Sequence, residues 1–473
     1  MTEIEKLLAI EAVKQVRARF ARTMDTKDWK GMQATLTPDC TFDFTQESTT
    51  DEPVRGAEDI VAEIRRNLLY ATSVHHAHMP EIEITSPTTA KGIWAMQDLL
   101  RFPGTPTVEL VGFGHYTETY EKLDGDWKIK TFKLTRLRVD VTRVMPPDAP
   151  PMPAPAPRTV RGDRTVKAVR IHGYGGPDKL VLETVPEPIP GPGEILVKVA
   201  ATAINPVDAK LRKGTLDLFM PLAFPAQLGG DLSGTVEAVG PGVTKWSAGD
   251  RVMSSINPAA EGAYAEKVVV PEGAAARVPD GIDLAEAAAI PTGVGTGLQL
   301  VERGLKPKAG QRILVTGAGG SVGRAAVYAA ADAGAVVVAG VRKSTLASVE
   351  GLPVAAVVDL ADARAVEAAG PYDGIADTVG GRLAEKLARL IRPGGILASV
   401  LLPPPVAPEG SSVTAVPIIV VFDEARLTRY AEGVAAGRYK VPIARRMKLS
   451  EAAAAHRLFD AGGVGGKILL IPG

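Results

Sequence analysis

A glycine-rich segment in the second half of the chain has the residue types and spacing of a phosphate-binding turn. Residues 317–323 read Gly-Ala-Gly-Gly-Ser-Val-Gly and lie between an apolar strand pattern and an alanine-rich helical pattern. Glycines allow a tight turn and let backbone amides approach a pyrophosphate, which the positive helix N-terminus attracts. The pattern therefore predicts a dinucleotide site in a βαβ unit. The residues expected to line it are Gly317, Ala318, Gly320, Ser321, Val322 and Gly323.

Two cations follow the second strand pattern of this unit. The strand is expected at 335–339, and Arg342 and Lys343 come shortly after it. A ribose-binding acid, usual about 20 residues beyond the glycine turn, is missing. Because positive side chains at this position favour a phosphorylated ribose, we predict that the cofactor is NADPH. The alternative is a glycine-rich turn that holds no ligand.

Ionisable side chains are also concentrated near the start of the chain, where His75, His76, His78 and His115 make up four of the six histidines. In an extended segment His76 and His78 share one face, as two metal ligands do. No carboxylate pattern accompanies them, so we expect no metal. We expect some of these histidines to face solvent and one or two to line a pocket.

The bulk properties limit the classes of function. A chain of 473 residues is too long for one ordinary domain. Lys+Arg and Asp+Glu both number 54, so we expect neither nucleic acid nor an acidic membrane as a partner. Cys40 is the only cysteine, which excludes an internal disulfide and a cysteine-based zinc cluster. A charged start without a signal pattern, and apolar runs too short for a bilayer, lead us to expect a cytoplasmic protein.

Composition and periodicity divide the chain into modules. Seven of the twelve positions at 146–157 are proline, so we expect an extended linker at 146–163. Before it, residues 1–145 change from a helical to a strand pattern, which is typical of an α+β domain. After it, residues 164–285 read as short strands, and residues 286–434 alternate strands and helices as a doubly wound sheet does. Residues 435–473 end in a helix and a strand.

Short motifs occur in order along the second module, at 167–170, 194–199, 205–208, 229–234, 249–252, 265–266, 377–381, 392–395 and 466–468. With the glycine turn, they make residues 165–473 resemble the zinc-free quinone oxidoreductase (zeta-crystallin-like) branch of the medium-chain dehydrogenase/reductase superfamily. The resemblance implies a GroES-like β domain at 164–285, completed by 435–473, packed on a Rossmann domain at 286–434.

The same comparison shows where the chain departs from the zinc alcohol dehydrogenases of the superfamily. Those enzymes have cysteine where Asn205 stands, and Gly-His-Glu where residues 229–231 read Gly-Gly-Asp. The second module offers only His172 and His456 as imidazole ligands. A catalytic zinc needs three protein ligands, so we expect no zinc chemistry.

The resemblance also implies roles for single residues. Asn205 is expected to donate a hydrogen bond to a developing oxyanion. Lys210, which follows nearby, either adds positive charge there or is a solvated charge. Tyr264 either lines the cleft or packs in the core. Thr296 matches a family threonine beside the nicotinamide ribose. We therefore expect NADPH-dependent reduction of a quinone or an α,β-unsaturated carbonyl by a homodimeric enzyme. The alternatives are an enoyl-thioester reductase and an NADPH-binding protein without catalysis.

Residues 1–145 resemble the SnoaL-like branch of the cystatin-type α+β cone through loose motifs at 25–29, 38–39, 75–76, 114–116 and 126–129. In dehydratase-like relatives, an Asp matching Asp25 and a His near His75 or His76 form an acid/base pair. Phe20 stands where such relatives often have tyrosine. The alternative is a module that only holds a ligand or dimerises. If both modules are active, the first is expected to make a conjugated carbonyl compound that the second reduces.

Overall fold

The computed structural model describes residues 1–44, 52–103, 107–144, 159–217, 220–401 and 404–473. The chain divides into two compact units, Met1–Met152 and Pro153–Gly473. Most of the predicted linker at 146–163 lies outside the described residues. Its last part differs from the prediction, because a strand already begins at Val160. Val160 and Arg161 pair with Pro188 and Glu187 of the neighbouring strand, so the sheet begins inside the predicted linker.

Three helices pack on the sheet of the first unit: α1 (Glu3–Asp25), α2 (Trp29–Ala34) and α3 (Ala57–Leu68). α1 begins at Glu3 because Thr2 and Glu5 form a capping box. Its buried face includes Val13, Val16 and Phe20. The helix ends at Asp25, and the chain then turns through Lys27, which has a φ of 62°. Asp25 is the last residue of α1, and its carboxylate faces β3 of the sheet.

The sheet of the first unit has six strands: β1 (Leu36–Asp43), β2 (Val54–Arg55), β3 (Thr72–Ser86), β4 (Thr89–Phe102), β5 (Thr107–Leu123) and β6 (Asp126–Val144). Their order is β2-β1-β6-β5-β4-β3, and the β1–β6 pair is parallel while the other pairs are antiparallel. A tight turn at Asp124-Gly125 joins β5 to β6, with both residues at positive φ. One face of the sheet packs against the helices, and the aromatic rings of Phe42 and Phe132 stack in that core.

The second unit begins with a β-rich body. Its first strands are β7 (Val160–Ile171), β8 (Val181–Pro188), β9 (Glu194–Ala203), β10 (Ala226–Gln227), β11 (Asp231–Val239), β12 (Arg251–Ser255), β13 (Lys267–Pro271) and β14 (Ala275–Arg277). A short helix, α4 (Pro206–Lys213), follows β9. β7, β8 and β10 form a small sheet, and β9 lies in the middle of a seven-stranded sheet.

A parallel sheet with helices follows. It contains β15 (Arg312–Thr316), β16 (Val336–Val341), β17 (Ala356–Asp359), β18 (Tyr372–Asp377), β19 (Ile391–Ser399) and β20 (Thr414–Pro417). The helices are α5 (Pro291–Gln299), α6 (Ser321–Asp332), α7 (Ala363–Ala368), α8 (Gly381–Ala388) and α9 (Glu424–Ala435). The strand order β17-β16-β15-β18-β19-β20 is that of a doubly wound dinucleotide-binding fold.

The chain ends with β21 (Ile443–Lys448), α10 (Ala452–Ala461) and β22 (Lys467–Ile471). β22 pairs with β9, so the last strand returns to the β-rich body. The predicted fold class is therefore confirmed for both units: an α+β cone, then a GroES-like β domain and a Rossmann domain. No helix in the described residues is long and apolar enough to cross a membrane.

Candidate functional site

The glycine turn lies between β15 and α6, at the point where the strand order of the parallel sheet reverses. Gly317 has a φ of 62°, and a Cβ atom there would lie 2.4 Å from the Thr378 hydroxyl. At Gly323 a Cβ atom would lie 2.2 Å from the carbonyl oxygen of Gly317, so the helix is packed directly on the turn. These positions need glycine for backbone conformation and for close approach. Ligands of open α/β sheets bind at this place.

Asp377 holds the ends of the central strands in place around the turn. It is fully buried, and it accepts hydrogen bonds from the hydroxyls of Thr316 on β15 (2.9 Å) and Ser399 on β19 (2.7 Å). The backbone N–H of Gly380 donates to the same carboxylate at 3.0 Å. The carboxylate thus ties three neighbouring strands together next to the turn.

Arg342 and Lys343 come directly after β16, which extends two residues further than the sequence pattern predicted. Both side chains are exposed. Within the described residues, no acidic side chain forms an ion pair with either of them. Their position beside the turn suits a negatively charged group on a bound ribose.

Thr296 lies on α5, which packs closely on the helix of the glycine turn. Only 8% of Thr296 is exposed. A Cβ atom at Gly297 would come within 2.2 Å of the carbonyl oxygen of Val322. α5 therefore forms one wall next to the nucleotide turn, and the structure brings Thr296 and the turn into one region.

A buried polar cluster connects α5 to the β-rich body. Thr292 donates to Asp231 from its backbone N–H at 3.1 Å and from its hydroxyl at 2.5 Å. The amide of Asn205 donates to the same carboxylate at 2.9 Å. The Lys467 ammonium donates to the Asn205 carbonyl oxygen and lies 3.6 Å from Asp231. The positive charge of Lys467 thus faces the negative charge of Asp231 inside the protein.

The cluster changes the expectation for Asn205. Its side chain is bound at both ends, to Asp231 and to Lys467, and the residue is 2% exposed. Asn205 therefore does not present its amide to a cleft in this conformation. Lys210 lies on α4, the helix that begins directly after Asn205, and is half-buried. Sequence reasoning missed Lys467, which hydrogen-bonds to Asn205 across 262 residues of chain.

The sequence left Tyr264 either lining a cleft or packing in the core, and the structure buries it completely. Its hydroxyl lies 3.0 Å from His456 Nε2 and donates to Asp208 at 3.4 Å. Arg212 donates to His456 Nδ1 at 2.8 Å. The ring packs in an apolar cluster of the β-rich body, and its hydroxyl is hydrogen-bonded there. Tyr264 therefore cannot contact a substrate in this conformation.

Burial shifts the pKa values in this second network. Burial raises the pKa of Asp208 to about 7, opposed by a hydrogen bond from the Asn205 backbone and assisted by the negative charge of Asp231. Burial, together with the charge of Arg212, lowers the pKa of His456 to about 3. His456 is therefore neutral at physiological pH, as expected for a packing residue.

A cavity of about 210 Å³ lies beside the buried cluster. Its polar wall contains Ser255 at the end of β12, Thr292 and Gln299 on α5. Its apolar wall contains Ile256, Val420 and Phe422. The cavity lies between the β-rich body and the parallel sheet.

In the first unit, the structure brings Asp25 and His75 together. His75 Nδ1 lies 2.6 Å from Asp25 Oδ1, and the His75 backbone N–H donates to Oδ2 at 2.9 Å. Ser73 adds a hydrogen bond to the carboxylate at 2.9 Å. Burial raises the pKa of Asp25, but the hydrogen bonds and charge of His75 outweigh burial and hold it below its usual value. Because the carboxylate accepts from Nδ1–H, the Nε2 atom of neutral His75 is left to take a proton.

His76 lies on the opposite face of the sheet. Along β3, His75 shares the core-facing side with Ser73 and Ala77, while His76 and His78 are exposed. The sequence alone left His75 and His76 as alternative partners of Asp25. Because side chains alternate between the two faces of a strand, His75 is the partner. His76 is therefore not part of the Asp25 pair.

Comparisons with known proteins agree with this architecture. Residues 5–133 match the SnoaL-like domain family. Residues 191–280 match the alcohol dehydrogenase GroES-like domain family, and residues 352–470 match the zinc-binding dehydrogenase family. The chain is thus similar to a SnoaL-like domain in its first unit and to the dehydrogenases of these two families in its second.

Individual relatives match the dehydrogenase/reductase module. The quinone oxidoreductase of Lama guanicoe is 36% identical over 166 residues, 35% of this chain and 49% of that protein. The chloroplast envelope quinone oxidoreductase homolog of Arabidopsis thaliana is 38% identical over 183 residues, 37% of this chain and 55% of that protein. The chain thus spans about half the length of the curated relatives it matches.

A solved structure covers the module more fully. The quinone oxidoreductase from Coxiella burnetii superposes with a TM-score of 0.59 and 26% identity, over 65% of this chain and 99% of that chain. The resemblance to the quinone oxidoreductase branch is therefore confirmed.

The dehydrogenase/reductase module has poor ligands for zinc. Asn205 and Gly230 stand at two positions where the zinc alcohol dehydrogenases have metal ligands, and Lys467 places an ammonium beside them. Among the described residues, no three His, Cys, Asp or Glu side chains are grouped closely enough to hold a metal ion.

Proposed function

We propose that the dehydrogenase/reductase module is an NADPH-dependent, zinc-independent oxidoreductase that transfers hydride to a quinone or an α,β-unsaturated carbonyl compound. The proposal is based on the glycine turn, which lies where the strand order of the sheet reverses. Arg342 and Lys343 are exposed at the end of the next strand. The names of the quinone oxidoreductase relatives support the choice of acceptor.

Each part of the site has a task in this proposal. Backbone amides of the turn bind the pyrophosphate, and Arg342 and Lys343 bind the phosphate of the ribose. NADPH, when bound, supplies the hydride. The cavity beside Ser255 and Thr292 holds the acceptor away from water.

Negative charge develops on the acceptor oxygen and needs stabilisation. Lys210 is half-buried, but it does not line the cavity beside Ser255 and Thr292. Asn205 has a second amide N–H, but it reaches an acceptor only after a local rearrangement. In the present arrangement Asn205 positions Asp231 and Lys467.

A panel of acceptors tests the proposal. Purified full-length protein is mixed with NADPH and a benzoquinone, an enone or an enoyl thioester, and cofactor oxidation is followed by absorbance. We expect turnover with the quinone or the enone. A preference for the thioester would favour an enoyl-thioester reductase, and binding of NADPH without any turnover would favour a protein that uses the fold without catalysis.

For the SnoaL-like domain we propose proton abstraction next to a carbonyl, leading to isomerisation or dehydration of a small hydroxy-carbonyl compound. The Asp25–His75 pair favours it, because the carboxylate orients an imidazole whose Nε2 atom is available as a base. His75 is 7% exposed in its side chain, so the base lies inside the cone rather than on its surface.

Three variants test the SnoaL-like domain. His75→Asn and Asp25→Asn should each slow proton exchange next to the carbonyl of a small hydroxyketone by about 100-fold or more. His76→Asn, the matched change on the opposite face, should leave the rate unchanged. The exchange is followed by NMR in heavy water. Equal rates in all four proteins would leave the domain with a ligand-holding or dimerising role.

A further inference from the structure

A chain of hydroxyl groups leads from the buried cluster to the cavity of the dehydrogenase/reductase module. The Ser255 hydroxyl lies 2.8 Å from the Thr292 hydroxyl, which lies 2.5 Å from Asp231 Oδ1. Ser255 and Thr292 both line the cavity, and both are half-buried. Each hydroxyl has only one proton, so the direction of one hydrogen bond fixes the next.

The direction is set at Asp231. Lys467 has only donors, so the oxygen of the Asn205 amide faces it and the Asn205 nitrogen faces Asp231. Asp231 also accepts from the Thr292 backbone N–H. With these donors and the Lys467 ammonium 3.6 Å away, Asp231 is a carboxylate, which only accepts.

Two steps follow along the chain. Because Asp231 only accepts, the Thr292 hydroxyl donates its single proton to it. The oxygen of Thr292 must then accept from Ser255, which uses the only proton of that serine. The Ser255 oxygen is left with lone pairs and no proton for the cavity.

We propose that Ser255 is a specificity-determining residue that accepts a hydrogen bond from a donor group on the bound molecule, a hydroxyl or an amide N–H. The inference rests on the proposed function, and it specifies that the polar wall of the cavity binds a hydrogen-bond donor. A carbonyl oxygen placed against Ser255 would face lone pairs and be disfavoured. The donor comes either from the nicotinamide carboxamide of the cofactor or from a hydroxyl on the acceptor.

Two pairs of ligands distinguish these sources. NADP⁺ carries an amide N–H, and its acetylpyridine analogue has a methyl group at that place. Hydroxymethyl-benzoquinone carries a hydroxyl, and its methyl ether does not. Dissociation constants are measured by calorimetry for the unmutated full-length protein and for Ser255→Ala.

Ser255→Ala should reduce the affinity for the donor-bearing member of one pair by about three- to tenfold, and leave its partner unchanged. The pair that responds identifies the source of the donor. Thr292→Val frees the proton of Ser255, so the preference for the donor-bearing member should fall in that variant too. Ser255→Thr keeps the hydroxyl and should restore the preference.

Equal affinity changes within both pairs in Ser255→Ala would overturn the inference while leaving the proposed function standing. Failure of the unmutated protein to bind NADP⁺ at all would instead overturn the proposed function, and the inference with it. Calorimetry separates these outcomes, because it does not depend on turnover.

Discussion

At the scale of single residues, Asp208 shows how burial of a capping carboxylate affects protonation. The side chain is fully buried and caps α4 by accepting from the Asn205 backbone N–H at 2.7 Å. Burial and the nearby charge of Asp231 raise its pKa to about 7. A raised carboxyl pKa means that the folded state binds a proton more tightly than the unfolded state does.

The stability contributed by Asp208 should therefore depend on pH. It is fully present below about pH 4 and is lost as the pH rises through about 7, with an upper limit of about 4 kcal/mol. Asp208→Asn should remove this part of the pH dependence, while Asp178→Asn, at an exposed carboxylate, should not. The measurement is the calorimetric unfolding midpoint between pH 5 and 8. Parallel curves for the unmutated protein and Asp208→Asn would contradict the assignment.

The sequence could predict some of the site residues and not others. The glycine turn and the cations after β16 are local signals, so their places in the fold follow from order along the chain. The choice between His75 and His76 needed the register of β3 against the core. Lys467 lies in the motif at 466–468, but its contact with Asn205 could not be predicted, because it arises only when β22 returns beside β9.

At the scale of elements, the glycine turn depends on both conformation and space. Gly317 has a positive φ, and an added Cβ atom would collide with Thr378 on the loop after β18. Gly310 also has a positive φ, 80°, but no atom lies within 4 Å of its Cβ position. The two glycines therefore share the backbone strain and differ in the contact.

Gly317→Ala and Gly310→Ala separate these effects. Each should lose about 1–2 kcal/mol of stability from backbone strain. Only Gly317→Ala should also weaken NADPH binding, by about tenfold or more, because the turn must shift away from Thr378. Unfolding and NADPH affinity are measured on both variants. Equal NADPH affinity in the two would show that the turn does not bind the cofactor.

Elements with a clear period were predictable, and their ends were less so. The apolar strands β15 and β16 and the helix α6 lie where the apolar pattern placed them. β16 runs on to Val341 because its pairing with β17 continues there. The β7 strand begins at Val160 for the same kind of reason, since its pairing with β8 includes Val160 and Arg161.

At the scale of the whole chain, two units with separate cores share one polypeptide. We propose that the SnoaL-like domain produces a conjugated carbonyl compound and that the dehydrogenase/reductase module reduces it. Tethering would raise the local concentration of that compound without any channel. We also propose that the protein forms a homodimer.

The effect of joining the two units on the two-step conversion can be measured by cleaving the chain between them. Insertion of a protease site at 146–157 and cleavage should slow the two-step conversion at low enzyme concentration and leave each single step unchanged. The readout is the rate of final product formation before and after cleavage. Cleaved units that perform as well as the intact chain would remove the reason for proposing successive steps.

The proposed function depends on the binding of NADPH by the glycine turn and by the cations after β16. The most direct measurement is the ratio of kcat/KM for NADPH to that for NADH, in the unmutated protein and in Arg342→Asp. Arg457→Asp, the same charge change on α10, serves as the control. We predict a preference for NADPH that falls about 10- to 100-fold or reverses in Arg342→Asp alone, because a charge-assisted hydrogen bond is lost. Equal use of both cofactors by the unmutated protein would contradict it.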